Sequence, residues 1–326
     1  MKRFFTQATR LLALVLAVGG ASSASAQQYP DHPIRLIVPF PPGGSTDVMA
    51  RIFAQKLGDR LGQRVYIDNR GGAGGRIGME LAAKAQPDGY TLMMDTSITH
   101  TVAMSLYSKA TFDVVTDFAP ITMLASEPLL FLVNPSVPAK SVSEFIALAK
   151  AKPGHLNYSS PGNGTSGHMA AELFKTMAGV DIVHVPYQGG GPAVLGLIAD
   201  QVQLLIQSPV ATLQFVKSDK LRLLATTSLT RSPDMPDVPT VAESGLPGYE
   251  VLLWFGLYAP AKTPDAIITR LNQEAAKIMQ SPEMVARLAT EGGQPVANTP
   301  EQFQEIIKAD IAKWTKIVKE AGLKVE

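Results

Sequence analysis

The sequence predicts an α/β protein of two lobes flanking a cleft, each lobe a mainly parallel sheet covered by helices. Three observations carry that expectation. Short apolar runs alternate with segments of helical periodicity, which is the grammar of parallel sheets. The alternation occurs in two series, the second closed by a proline-rich connector, DMPDVPTVAESGLPGYE (234–250). Two strand-to-helix junctions, FPPGGSTD (40–47) and SSPGNGTSGH (159–168), are stripped of bulky side chains.

The elements follow in order. IRLIVPF (34–40) is apolar almost throughout, as suits a strand covered on both faces. Val48, Met49, Ile52, Phe53, Leu57 and Leu61 recur at helical spacing, and Gly62 supplies a stop. RVYIDN (64–69) reads as a strand, RIGMELAAKA (76–85) as a helix and YTLMMDT (90–96) as a strand. The second series opens at PLLFLVNP (128–135), and Ser141 with Glu144 forms a capping box for SVSEFIALAKA. LNYSS (156–160), IVHVPY (182–187), VQLLIQS (202–208) and LRLLATTS (221–228) are its further strands, with helices near 165–178, 192–199 and 210–217. After VLLWFGLYAP (251–260) come helices near 264–279 and 283–291. A last helix starts at Thr299-Pro300, with Gln302 placed to cap it. The helices beyond residue 260 have no strands of their own and must cover a sheet already built. The expected division is therefore 27–127 for the first part of lobe 1, 128–250 for lobe 2, and 251–326 for a return to lobe 1.

Residues 1–26 stand outside this plan. Lys2, Arg3 and Arg10 precede the apolar run LLALVLAVGG, and Ala24-Ser25-Ala26 is an A-x-A exit, the signature of a cleaved signal peptide. Removing three basic residues from 29, against 28 acids, leaves a mature formal charge of −2. No basic field exists to collect nucleic acid. The chain has no cysteine, which excludes disulfides, thiol catalysis and a lipid anchor on a cysteine. The histidines show no metal-binding spacing. An exported periplasmic protein without cofactor or metal is expected, acting as a monomer.

Both bare loops lie where ligands collect in open α/β sheets, at the carboxyl ends of strands. A first helical turn carries unpaired N–H groups and the positive end of the helix dipole, and glycines let a ligand approach that backbone. Neither loop holds the lysine of a nucleotide phosphate loop. Backbone-lined, uncharged sites suit carboxylates better than polyphosphates. Ser45, Thr46 and Thr165 can either cap the helices or turn a hydroxyl to the ligand. For Asp47 the bland role is to stabilise the first turn of its helix. His168 reads as a structural histidine and Trp254 as core or hinge packing, whereas Tyr187 is the better aromatic for ligand contact. The glycines of NRGGAGG (69–75) read as a turn on the lobe surface.

The chain resembles the substrate-binding proteins of tripartite tricarboxylate transporters, the Bug family of periplasmic receptors. The likeness rests on FPPGGSTD, NRGGAGGRIG, PDGYTL, DFAPITML, SSPGNGTSGH, HVPYQGG and DVPTVAESGLPGYE, in shared order from Tyr29 onward. It implies a Venus-flytrap receptor that delivers a small carboxylate to a membrane permease. Carried over, Phe40, Gly43, Gly44, Ser45, Thr46 and Asp47 form one wall of the site. Gly162, Asn163, Gly164, Thr165 and His168 form the other, with Tyr187, Gln188 and Gly189 toward the far end of the ligand. Ser97, Gln207 and Ser208 occupy equivalent strand ends. One departure is Gly71, where the family carries proline. A dicarboxylate, an acidic amino acid or an aromatic acid such as terephthalate all fit this reading. A receptor presenting its ligand to a sensor kinase stays open as an alternative. A periplasmic hydrolase is disfavoured, because no G-x-S-x-G elbow is present.

Overall fold

The computed structural model describes residues 29–106, 111–290, 292–320 and 322. The expected signal peptide, 1–26, lies outside the described residues. The architecture below is that of the unit His32–Glu326.

Two sheets organise the fold. The first has strand order β11-β4-β10-β3-β1-β2, with β1 (Ile34–Val38), β2 (Val65–Asn69), β3 (Thr91–Thr96), β4 (Phe118–Pro128), β10 (Leu252–Pro260) and β11 (Gln294–Pro295). The second has order β7-β6-β8-β5-β9, with β5 (Leu130–Val133), β6 (Asn157–Ser160), β7 (Val183–Pro186), β8 (Leu204–Gln207) and β9 (Arg222–Thr226). The helices are α1 (Ser45–Leu61), α2 (Arg76–Ala83), α3 (Ser97–Leu106), α4 (Val142–Ala151), α5 (Ser166–Ala178), α6 (Gly190–Ile198), α7 (Pro209–Lys217), α8 (Asp265–Met279), α9 (Pro282–Thr290) and α10 (Pro300–Glu320).

Both sheets are mixed rather than mainly parallel. β1 runs parallel to β2 and β3, and β6 to β7 and β8. β10 runs antiparallel to β3 and β4, and β5 to β8 and β9. β5 and β10 are reversed where the chain enters their sheet from the other one, and the short β11 runs antiparallel to β4. Their direction is set by long-range pairing, which local periodicity does not encode.

The chain passes between the sheets at Leu129 and again near Val251. Thr227 ties the two passages together: its Oγ accepts from Leu129 N at 2.7 Å and donates to Val251 O, while Val251 N donates to Thr227 O at 2.9 Å. The hydroxyl is fully buried, so it satisfies main-chain groups that water cannot reach.

The expected helix starts are built as the spacing implies. Glu144 N donates to Ser141 Oγ at 3.2 Å, and Thr299 with Gln302 exchanges both bonds of a capping box. Three elements had no sequence signal. β4 contains Pro120 and Pro128, which argue against a strand, yet it pairs with β10 and β11. α3, SITHTVAMSL, is rich in hydroxyl and β-branched residues, and β11 is only two residues long. α8 and α10 pack on β4 of the first sheet. Trp254 is core: its indole N–H donates to Asp310 Oδ2 at 2.7 Å, and its ring meets Phe303 edge-on at 5.2 Å.

Candidate binding site in the cleft

The first loop leads from β1 into α1. Its N-cap residue is Gly44, which has no side chain, so the first turn's N–H groups receive no side-chain cap. The loop is held from behind by Asp47, which is buried. Its carboxylate accepts from Gly43 N at 3.0 Å, from Arg51 Nε at 2.9 Å and from Asn69 Nδ2 at 2.9 Å. Asn69 also donates to Phe40 O at 3.0 Å. Burial pushes the Asp47 carboxyl up, but the bonds from Arg51, Gly43 and Asn69 outweigh it and hold the group below the usual carboxylate range.

The second loop leads from β6 into α5. Thr165 is the N-cap residue, yet its hydroxyl donates to Gly162 O at 2.7 Å and caps nothing. The turn is fixed by His168, whose Nδ1 accepts from Gly164 N at 3.1 Å. That bond requires a neutral ring. Burial, assisted by the charge of Lys175, lowers His168 to about 4. His184 stacks on it at 4.2 Å and shares a 2.6 Å bond with Ser160 Oγ, and burial with the neighbouring His168 lowers His184 to about 3. Gly167 has to be glycine, because a Cβ there would lie 2.5 Å from Ile206 O.

The two loops line a cavity of about 30 Å³. The first sheet contributes Phe40, Gly44, Ser45, Thr46, Thr96, Thr99 and Leu253; the second contributes Pro161, Thr165, Ser166, Gly167, Gly190 and Gln207. Among the described residues no charged side chain lines it. The first loop meets the start of α6 across the cleft, since a Cβ on Gly190 would approach Gly44 Cα at 3.4 Å. Gln207 Oε1 accepts from Ser208 N at 3.1 Å, which fixes the amide and leaves its NH₂ group on the Gly190 side as a donor. Ser166 Oγ is buried and has no hydrogen-bond partner among the described residues.

Of the expected site residues, Phe40, Gly44, Ser45, Thr46, Thr165 and Gln207 line this cavity. Gly162, Tyr187, Gln188 and Gly189 line an adjoining cavity of about 190 Å³, together with Phe40, Pro161 and the loop Gly72–Gly75. Gly43, Asp47, Ser97, Asn163, Gly164, His168 and Ser208 line neither. Ser97 Oγ sits between Leu252 O and Trp254 N, and Ser208 Oγ donates to Glu127. Tyr187 borders the cleft, but its hydroxyl donates to Gln201 Oε1 at 3.0 Å and lies over Gly196. The glycines at 72–75, read from sequence as lobe surface, line the cleft instead.

Thr96, Thr99, Pro161, Ser166, Gly167 and Leu253 line the cavity without being expected ligand contacts. Ser166, the residue after an N-cap in a bare loop, could have been found from position alone. Leu253 depends on the pairing of β10 with the two strands beside it. Among the described residues no group of three His, Cys, Asp or Glu side chains could hold a metal ion.

Residues 49–323 match the family described as tripartite tricarboxylate transporter family receptor. The chain belongs to that family. Protein BugT of Bordetella pertussis is 41% identical over 323 residues, covering 98% of this chain and 99% of the relative. Two solved structures share the fold. R. palustris Rpa4515 with adipate has a TM-score of 0.88 and 37% identity, covering 91% of this chain and 100% of that one. MatC from Rhodopseudomonas palustris with bound malate has a TM-score of 0.85 and 31% identity, covering 89% and 100%. This receptor is thus a Bug-type substrate-binding protein with the two-lobed fold of periplasmic binding proteins, and not an enzyme.

Proposed function

We propose that this receptor works in the periplasm after export, captures a small organic carboxylate between its lobes, and hands it to the membrane permease of a tripartite transporter. Lobe 1 comprises 27–127 and 251–326, and lobe 2 comprises 128–250. One observation carries the reading: α1 and α5 begin without side-chain caps on opposite walls of one cavity lined by hydroxyls and no charge. The N–H groups of Ser45, Thr46, Ser166 and Gly167 hold the carboxylate, and Gln207 and Ser166 donate from their side chains. Each helix end contributes on the order of 0.3–1 kcal/mol to an exposed anion and up to about 2 when partly buried. Two ends plus several charge-assisted bonds reach the roughly 8 kcal/mol of a micromolar site once water is excluded. Relatives solved with adipate and malate support the ligand class. The remaining expected residues position these groups: Asp47 and Gly43 brace the first loop, and His168, Asn163 and Gly164 shape the second. Ser97 and Ser208 act at the strands between the lobes.

Thermal-shift screening of the mature chain, from Gln27, against carboxylates and their matched amides tests this. A melting shift with an acid that its amide does not give is expected through linkage. Equal shifts with acid and amide, or none with any acid, would refute it.

A further inference from the structure

We propose that the outer edge of β2, with the groove between it and α1, is a docking surface for an extended acidic segment of a partner protein, which joins the first sheet as a further strand. The inference does not depend on what the cleft binds. β2 bonds to β1 through its even-numbered residues: Ile34 N donates to Arg64 O at 2.9 Å, and Arg70 N to Val38 O at 2.8 Å. Val65, Ile67 and Asn69 therefore turn their main-chain N–H and C=O groups outward, where no strand lies among the described residues. The other three sheet edges are guarded. β11 is two residues long and ends in Pro295, and β7 has Pro186 where an outward N–H would stand. β9 is flanked by the connector, with Thr226 N donating to Pro239 O and Val241 N to Thr226 O, both at 2.9 Å. β2 has five residues and no proline, and Val65, Tyr66 and Ile67 in a row are residue types that favour strands.

The groove beside this edge sets the charge of the partner. It has a volume of about 690 Å³ and is lined by Pro33, by Arg51, Ala54 and Gln55 of α1, and by residues 64–67. Its charged side chains are Arg51 and Arg64, both exposed, and among the described residues no acid lines it. The mature chain carries a formal charge of −2, so this local positive charge runs against the whole. Arg64 enters no ion pair among the described residues. Arg51 uses Nε and one terminal nitrogen on Asp47 and Asn69, which leaves the two N–H groups of its other terminal nitrogen for a second carboxylate. Tyr66, 40% exposed, adds an aromatic surface. Every second side chain of an added strand points the same way. Acidic residues at alternate positions thus meet the arginines while the main chain pairs with Val65, Ile67 and Asn69. A second copy of the chain fits less well. Asp68, the one acid of β2, is already paired with Arg35 and Arg70, so self-pairing brings arginines to arginines. Because Asp47 and Asn69 also hold the first loop, the groove lies directly behind one wall of the cleft.

Fluorescence polarisation on the mature receptor tests this with a labelled seven-residue peptide in which glutamate alternates with threonine and valine. The acidic peptide is expected to bind saturably and to be released by salt. A counterpart with lysine for each glutamate is expected to bind at least about tenfold more weakly. Two further peptides carry N-methyl groups on one or the other alternate set of residues. A strand added to an edge uses every second N–H, so one methylated peptide should lose about tenfold or more while the other keeps its affinity. Arg64→Glu, at an exposed position, is expected to weaken the acidic peptide at least about tenfold; Arg64→Ala, with a smaller loss, serves if the reversed charge does not fold. No binding of the acidic peptide, equal binding of the lysine peptide, or full affinity in both methylated peptides would overturn the proposal. Sedimentation showing that the receptor itself pairs, and that Arg64→Glu separates the copies, would assign the edge to a second copy and likewise overturn it. None of these outcomes bears on carboxylate binding in the cleft, which the melting-shift screen tests separately.

Discussion

Replacing Ser166 by alanine should move stability and affinity in opposite directions. Ser166 is 7% exposed, its Oγ is buried without a partner among the described residues, and it lines the cavity between the loops at the first position of α5. A buried hydroxyl without a partner costs about 1–3 kcal/mol relative to the same group in water. Removing it relieves that penalty and leaves only a methyl-sized change on a small residue, so the ligand-free protein should gain on the order of 1 kcal/mol. In the complex the same hydroxyl donates to a carboxylate, and a bond to a charged group is worth about 1.5–3 kcal/mol. At about 1.4 kcal/mol per tenfold, the variant should bind its acid roughly 10- to 100-fold more weakly. Denaturant unfolding of the ligand-free receptor reads the first quantity, and calorimetry with the acid giving the largest melting shift reads the second. A variant that is less stable without ligand and unchanged in affinity would show that Ser166 serves the fold, not the ligand.

Three further outcomes follow from the geometry. Gln207→Glu replaces a donor amide by an isosteric carboxylate facing the bound acid; calorimetry should show at least a tenfold loss of affinity. Thr227→Val removes the hydroxyl that satisfies Leu129 N and Val251 O. Each main-chain group so orphaned costs about 1–3 kcal/mol, and the unfolding midpoint should fall accordingly. Because His168 and His184 are lowered to about 4 and about 3, the unfolded chain binds more protons than the folded one below an unfolded histidine value of about 6.5. Their contribution is complete above that pH and is lost as pH falls toward 4 and then 3. The melting temperature should decline over this window, less steeply in His168→Gln.

Much of the cleft was legible in the sequence because its walls are local. A strand followed by Pro, Gly and hydroxyl residues and then a helical period fixes both the loop and the uncapped turn, and Phe40, Gly44, Ser45, Thr46 and Thr165 line the cavity accordingly. What was not legible depends on the chain folding back. Thr96 enters the cavity from the end of β3 and Thr99 from α3, whose hydroxyl-rich sequence has no clear helical face. Leu253 arrives on β10, between β3 and β4. Tyr187 looked exposed to ligand beside its glycines, but the smaller gap over Gly196 and the amide of Gln201 draw its ring away. Asp47 presents the same lesson: its neighbours in sequence suggest a ligand contact, whereas Asn69, from the next strand, completes its hydrogen bonds.

The central claim is that two helix N-termini share one carboxylate. Amide chemical shifts of the isotope-labelled receptor, followed during titration with an acid and then with its matched amide, test it most directly. The account predicts that the acid shifts the N–H resonances of Ser45, Thr46, Ser166 and Gly167 together, and that the matched amide leaves them in place. Binding that leaves these four resonances unmoved would contradict it.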